Sequence, residues 1–202
     1  ITVFERTGSA GVGMPYRQGT NGAALLANIA SVELPPVVES LESWLRSRTD
    51  LGIERMGVDL ETFDDRTFLP RVVLGTYFRD QFVRVVELGA ARGHKIKVLV
   101  EHNVTDVQIV DDRISVAAET ASGFTVHETF DRVVIATGHE VGDSEDQSDS
   151  YFSSPYPTWR LQRIGASRVG ILGTSLSGID AVVSVAQQHG TFEGEAPSLA
   201  YN

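Results

Sequence analysis

The alternation of apolar and polar positions along the chain predicts a series of strands. Ile1 to Glu5 alternates and is rich in β-branched and aromatic residues, as strands are. A strand over 94–100 is then expected, followed by three alternating runs that predict a small antiparallel meander. Turns at Asp111-Asp112 and Ser122-Gly123 separate these runs, which cover 104–110, 114–118 and 124–130.

Apolar residues at helical spacing predict two helices in the first half of the chain. The first is expected over 37–48, after Pro35-Pro36, with a buried face of Leu41, Trp44 and Leu45. The second is expected from Pro70 to Arg92 and is stopped by Gly93. Its expected buried stripe is Leu74, Phe78, Phe82, Val85 and Val86. Before these helices, Leu25 to Ala30 is expected to pack in the core, and the charged residues 49–69 resemble a surface excursion that covers a site.

Two continuous apolar runs later in the chain predict strands buried on both faces. The first covers 132–137 and is closed by Gly138 and His139. The second, 169–172, breaks at Gly173, and helical spacing begins at Ser177. The second run therefore predicts a strand, a tight turn and a helix that ends at His189-Gly190.

This strand–turn–helix carries Gly173, Ser175 and Gly178 in the places of a G-x-G-x-x-G fingerprint. Gly173 allows the sharp turn, Ser175 is small enough for a pyrophosphate to approach the backbone, and Gly178 allows close packing. The N-terminus of the helix offers unpaired N–H groups to phosphates. The alternative is a close-packed strand-to-helix corner without a ligand. A hydrolase nucleophile at Ser175 is set aside because Ser177 stands where that motif needs glycine.

The start of the chain offers a second set of candidate residues. Glu5 ends its strand, where an acid in a nucleotide-binding unit accepts hydrogen bonds from ribose hydroxyls; the alternative is a solvated acid. The loop that follows contains Gly8, Gly11, Gly13, Gly19 and Gly22. Such a long irregular loop is typical of ligand binding, because glycine lets the main chain pass close to a ligand.

Composition narrows the functional classes. With 42% hydrophobic residues the chain can build a core, and no apolar stretch approaches the ~18 residues of a membrane helix. The net charge of −10 argues against general nucleic-acid binding. The chain has no cysteine, which excludes disulfides and thiolate metal sites and fits a cytoplasmic location. Its five histidines show no metal-ligand spacing, so no metal is expected, and only His139 is a possible exception to an ordinary surface role.

The two ends of the chain add one expectation. If Ile1 to Glu5 is the second strand of a nucleotide-binding unit, then a first strand with its glycine turn is expected ahead of it. A strand is likewise expected after the fingerprint helix, beyond Asn202. The chain is therefore interpreted as an internal segment, with a partial FAD-binding domain over 1–139, a linker over 140–160 and the start of an NAD(P)-binding domain over 161–202.

Several motifs together resemble those of bacterial FAD/NAD(P)-binding proteins, which are similar to flavin monooxygenases and N-hydroxylases. The resemblance runs in register from the first residue to about Gln188. Its motifs are ITVFE, GVGMPY, LLANIAS, FLPR, YFRDQF, VVIATGH and GILGTSLSGID. It implies an α/β, Rossmann-like fold with a parallel sheet, a small antiparallel meander and a helical insertion.

The resemblance also implies FAD in the first domain and a nicotinamide nucleotide at the second fingerprint. Glu5 would then hold the FAD adenosine ribose, Val104 would lie near the adenine through its backbone, and Arg6 is also expected to bind the cofactor. The segment beside the cofactor would consist of Gly11, Gly13, Met14, Pro15 and Tyr16. Ala136, Thr137 and Gly138 would close the FAD pocket, and Gly173, Ser175 and Gly178 would hold the second nucleotide.

Three functions remain open. In the favoured one, NAD(P)H reduces FAD, and the reduced flavin passes electrons to oxygen or to a small substrate. The alternatives are a nucleotide- or flavin-binding module without turnover, such as a sensor or scaffold, and an FAD-free dehydrogenase. No side-chain acid, base or nucleophile is predicted to be catalytic, and the residue patterns specify neither the substrate, nor NAD against NADP, nor an oligomeric state.

Overall fold

A computed structural model describes residues 1–17, 19, 25–48, 52–138, 150–194 and 197–202. These residues divide into two compact units, one within Ile1–Gly13 and Tyr77–His139, the other within Met14–Thr76 and Glu140–Asn202. The helices are α1 (Leu41–Ser47), α2 (Arg71–Ala91) and α3 (Leu176–His189). The strands are β1 (Thr2–Phe4), β2 (Lys97–Leu99), β3 (His102–Val110), β4 (Arg113–Thr120), β5 (Thr125–Phe130), β6 (Phe192–Glu193) and β7 (Ala200–Tyr201).

The first unit combines a parallel strand pair with an antiparallel meander. β1 and β2 run parallel, with Phe4 opposite Leu99, and β3, β4 and β5 form an antiparallel sheet in that order. The rings of Phe4 and Phe130 meet edge to face, with centroids 6.1 Å apart. The expected α/β class, with a parallel sheet, a meander and helices, is therefore confirmed.

The second unit contains the core that was expected around α1. Leu41, Trp44 and Leu45 are all buried, as predicted. The helix begins at Leu41 rather than at 37 because Ser40 is its N-cap: the Ser40 hydroxyl accepts a hydrogen bond of 3.1 Å from the N–H of Ser43. Of the segment Leu25 to Ala30, which was expected to pack in the core, Leu25, Ala27 and Ala30 are buried, whereas Leu26 is exposed.

The irregular segment before α2 is not only a surface excursion. Ile53, Val58, Phe63 and Leu69 are buried, and the N–H of Ala27 donates to the carbonyl of Leu69 at 2.7 Å. Residues 49–51 lie outside the described chain. The prediction of an excursion over the rest was wrong in this respect, because these four apolar residues are buried although they follow no regular period.

Helix α2 lies where the pattern predicted it, but its buried residues differ from the predicted stripe. Leu74 is buried, whereas Phe78, Phe82 and Val86 are half-buried and Val85 is exposed. The first two turns are buried more widely, since Val72, Val73 and Tyr77 are also shielded from solvent. Burial is thus concentrated at the N-terminal end of the helix rather than along one face.

Two predicted strands do not form. Residues 132–137 and 169–172 lie outside every strand, and no strand among the described residues pairs with either segment. Most of their apolar side chains are exposed, with Val134 at 88% and Ile135 at 72% of full exposure, while Val133 is half-buried. A strand buried on both faces needs neighbouring strands that form hydrogen bonds with it. An apolar run alone was therefore not enough to predict a strand at either segment.

The C-terminal tail forms a hairpin that the sequence pattern did not indicate. β6 and β7 are antiparallel, and the hydroxyl of Tyr201 donates to the carbonyl of Ala186 in α3 at 2.8 Å. Helix α3 ends at His189 with Gly190 as its C-cap, as predicted. Among the described residues, no helix has both the length and the apolar character that crossing a membrane requires.

Gly11 is fixed by close packing in the first unit. It has a φ of +86°, and a Cβ at this position would lie 2.7 Å from Cγ of Phe82 in α2. Any other residue there would combine left-handed strain with overlap against a half-buried ring. The structure therefore gives a packing reason for this glycine of the GVGMPY motif.

Replacing Gly11 with alanine is expected to destabilise the protein more than the same change at Gly123. Gly123 has a similar φ of +80°, but nothing lies within 4 Å of an added Cβ. Gly123→Ala should lower the free energy of unfolding by about 1–2 kcal/mol through strain alone. Gly11→Ala should lower it by about 2–5 kcal/mol, because overlap with Phe82 is added. Urea unfolding measures both, and equal losses would show that the contact with Phe82 has no energetic effect.

Candidate functional site

Glu5 lies at the carboxyl end of the parallel pair in the first unit. Its N–H donates to the carbonyl of Leu99 at 2.9 Å, and its own carbonyl accepts from the N–H of His102 at 3.0 Å. The start of β3, which carries Val104, therefore lies beside the end of β1. Ligands of α/β sheets bind outside the carboxyl ends of parallel strands, so the structure brings these two predicted residues to a suitable edge.

The carboxylate of Glu5 also closes the turn that follows β1. Its Oε1 accepts hydrogen bonds from the N–H of Thr7 at 2.8 Å and from the Thr7 hydroxyl at 2.6 Å. The side chain is half-buried, whereas the neighbouring Arg6 is exposed. Glu5 is therefore more than the solvated acid of the alternative interpretation. Its contact with a ribose stays a prediction, as does cofactor binding by Arg6.

The remaining predicted residues of the first unit are more open. Val104 is exposed in β3 at an irregularity of the ladder, opposite Ala118. Ala136, Thr137 and Gly138 are exposed and outside any strand, and closure of the FAD pocket by this segment stays a prediction. His139 lies outside the described residues, as do 18 and 20–24 of the glycine loop.

The GVGMPY segment continues from Gly13, which is exposed and has a φ of +76°. In the second unit, Met14, Pro15 and Tyr16 form a short 3₁₀ helix. The carbonyl of Tyr16 packs directly against Gly75 of α2, where an added Cβ would overlap it. Gly75 was not singled out from the sequence, because a glycine inside a helical pattern gives no indication of what approaches it.

The fingerprint turn in the second unit has the geometry that its glycines predicted. Gly173 has a φ of +105°, and nothing lies within 4 Å of an added Cβ, so the space beside it is open. At Gly178 an added Cβ would lie 2.6 Å from the carbonyl oxygen of Gly173. The first glycine thus allows the turn and the last allows close packing, although the preceding strand does not form.

Ser175 is the N-cap of α3, and its side chain makes no capping hydrogen bond. Its carbonyl accepts hydrogen bonds from the N–H groups of Gly178 at 2.8 Å and Ile179 at 3.1 Å. The first turn contains no acidic residue. Because the first N–H groups of a helix have no acceptor within it, this end is electrostatically suited to a phosphate.

A cluster of Arg71, Tyr156 and Asp180 lies in the same unit. Nη2 of Arg71 donates to Oδ2 of Asp180 at 2.7 Å, and Nη1 donates to the Tyr156 hydroxyl at 3.3 Å. The Tyr156 hydroxyl donates to the same carboxylate oxygen, and Nε of Arg71 donates to the carbonyl of Leu26 at 3.0 Å. The cluster joins the first turn of α2, the segment before Thr158 and the second turn of α3.

The two charges of this cluster are largely shielded from water, with 13% of the Arg71 side chain and 11% of the Asp180 side chain exposed. Burial acts against the charge of Arg71, but Tyr156 and Asp180 outweigh it and raise the pKa of the guanidinium. Sequence reasoning missed the cluster, although Arg71 belongs to the FLPR motif and Asp180 to GILGTSLSGID.

The described residues contain no group of three or more histidine, cysteine, aspartate or glutamate side chains placed to hold a metal ion. The chemical features of the site are therefore main-chain N–H groups, glycine turns and the Arg71 cluster. They suit a ligand with phosphate groups, and they assign no side-chain nucleophile.

Two comparisons place the chain among known proteins. It is 44% identical over 192 residues to the uncharacterized protein YdhS of Escherichia coli (strain K12). That alignment takes in 95% of this chain but 35% of the relative, so the chain spans a minor part of that protein's length. A sequence model of the FAD-NAD(P)-binding family matches residues 1–140, which is more than half of the chain. On this match, the chain belongs to the FAD-NAD(P)-binding family.

Proposed function

We propose that the chain is part of an FAD-dependent oxidoreductase that uses NAD(P)H to reduce its flavin. The match to the FAD-NAD(P)-binding family over 1–140 is the observation that carries this proposal. We assign a partial FAD-binding domain to 1–139, a linker to 140–160 and the start of an NAD(P)-binding domain to 161–202. A cytoplasmic location is part of the proposal and rests on the cysteine-free sequence.

The carboxyl edge of the β1–β2 pair supports the assignment of FAD to the first unit. Glu5 lies at this edge beside the start of β3, and a half-buried carboxylate there can accept hydrogen bonds from a ribose. Arg6, Val104, Gly11 and Gly13 complete the proposed FAD contacts of this unit, and Met14, Pro15 and Tyr16 are proposed separately as cofactor-binding residues of the second unit. When bound, FAD supplies the hydride acceptor, while the protein positions the reactants and sets their electrostatic environment.

The turn before α3 supports the assignment of a nicotinamide nucleotide to the second unit. Gly173 leaves open space where a side chain would otherwise stand, and Ser175 places no capping side chain over the helix N-terminus. Both features fit a pyrophosphate held by main-chain N–H groups. The family match ends before this turn, so the turn is a separate line of support.

A binding module without turnover is the second candidate. The turn before α3 favours it, because an open glycine turn at a helix N-terminus can bind a phosphate group without any turnover. Both candidates bind a nucleotide, but only the oxidoreductase transfers electrons between two of them.

Rapid mixing of the purified full-length protein with NADH or NADPH under anaerobic conditions distinguishes the candidates. We expect the protein to carry flavin absorbance and one of the two nucleotides to bleach it. Flavin that neither nucleotide reduces would leave the binding module as the better account. Protein without flavin, but with nicotinamide nucleotide bound, would instead support the FAD-free dehydrogenase.

Gly173→Val is expected to abolish NAD(P)H binding, because the new side chain would occupy the open space of the turn. Gly93→Val is the matched control: Gly93 has a φ of +84°, also has nothing within 4 Å of an added Cβ, and lies beyond the end of α2. Both variants carry comparable backbone strain, but the control should bind as wild type does. Fluorescence titration with NADH and NADPH, with circular dichroism as a check of folding, measures the difference. Unchanged affinity in Gly173→Val would rule out this turn as the site.

A further inference from the structure

The Arg71 cluster has more contacts than a simple surface ion pair. Three nitrogen atoms of Arg71 donate to three different acceptors, the Leu26 carbonyl, the Tyr156 hydroxyl and the Asp180 carboxylate. Burying two charges costs several kcal/mol per ion before their attraction is counted, so such a pair is weak evidence for a stabilising role. What the arrangement does provide is a defined orientation, since a planar guanidinium satisfies these acceptors in one geometry.

The position of Asp180 within α3 connects the cluster with the proposed nucleotide site. Asp180 is the fifth residue of the helix and follows Gly178, the residue that packs on the Gly173 carbonyl, by two positions. At ~1.5 Å per residue, it lies about 6 Å along the axis from the first helical residue. A negative charge at this distance from a bound phosphate would repel it, and the shielded surroundings would weaken the screening.

We propose that Arg71 is a positioning residue for the nucleotide site: its guanidinium compensates the charge of Asp180 and holds the first two turns of α3 in place for a phosphate-bearing nucleotide. This inference rests on the proposed function and adds a residue remote in sequence to the site at Gly173–Gly178. Tyr156 serves the same arrangement, because its hydroxyl contacts both members of the pair.

Charge compensation and simple structural support predict different results in a set of four variants. Arg71→Gln leaves a shielded carboxylate without its cation, and should weaken NADPH or NADH binding about three- to tenfold. Asp180→Asn keeps an acceptor for Arg71 but removes the negative charge, so the anionic nucleotide should bind more tightly. The double variant lacks both charges and should recover most of the lost affinity. Arg46→Gln is the control, since Arg46 forms an exposed pair with Glu42 in α1.

Fluorescence titration of the full-length protein with NADH and with NADPH gives the affinities. Amide hydrogen exchange over Leu176–His189 without nucleotide gives an independent measure of the order of α3. We expect faster exchange in the first two turns for Arg71→Gln and no change for Arg46→Gln. Unchanged or weaker binding in Asp180→Asn, or a double variant as weak as Arg71→Gln, would overturn the charge compensation. If Arg71→Gln does not fold, Asp180→Asn alone still decides between the two accounts.

Binding of NADH and NADPH by the wild-type protein tests the proposed function separately from this inference. Wild type that binds neither nucleotide contradicts the proposed function, and this inference with it. Wild type that binds NADH or NADPH, with unchanged affinity and unchanged α3 exchange in Arg71→Gln, contradicts this inference alone.

Discussion

Gly178 packs directly on the carbonyl oxygen of Gly173, which would lie 2.6 Å from a Cβ at position 178. This contact constrains the turn before α3: one glycine takes a left-handed conformation, and another lets the first turn of the helix close onto the main chain. A side chain at either point would separate the helix from the turn or fill the space beside it. The proposed nucleotide site depends on this bare main chain, because phosphate groups are bound by N–H groups that side chains would cover.

Helix α3, which follows this turn, is held by a charged cluster near one end and by hydrogen bonds from side chains to main-chain carbonyls near the other. Near its N-terminus, Asp180 joins the cluster with Arg71 and Tyr156, and near its C-terminus the hydroxyl of Tyr201 donates to Ala186. The side chain of Gln188 donates to the carbonyls of Gln162 and Ile164, close to the same end. In the other unit, main-chain hydrogen bonds fix the end of β1. The N–H of Glu5 donates to Leu99 at the end of β2, and the carbonyl of Glu5 accepts from His102 at the start of β3.

Local patterns were sufficient for the helices and for the meander, but not for the buried strands. Two features that depend only on residues near in sequence were predicted correctly. They are the buried face of α1, formed by Leu41, Trp44 and Leu45, and the turn at Ser122-Gly123 between β4 and β5. Burial of 132–137 and 169–172 depends on neighbouring strands, which an apolar run does not specify. The Arg71–Asp180 pair joins residues 109 positions apart. The roles of the fingerprint glycines could be predicted because glycine allows backbone conformations and close approaches that a side chain prevents. The Arg71–Asp180 pair became visible only with the fold.

The central claim is that a nicotinamide nucleotide binds at the turn before α3. A crystal structure of the full-length protein with FAD, soaked separately with NAD⁺ and NADP⁺, tests this directly. The account predicts the pyrophosphate of one of them within hydrogen-bond distance of main-chain N–H groups between Gly173 and Gly178. A nicotinamide nucleotide bound elsewhere, without contact to this turn, would contradict the central claim.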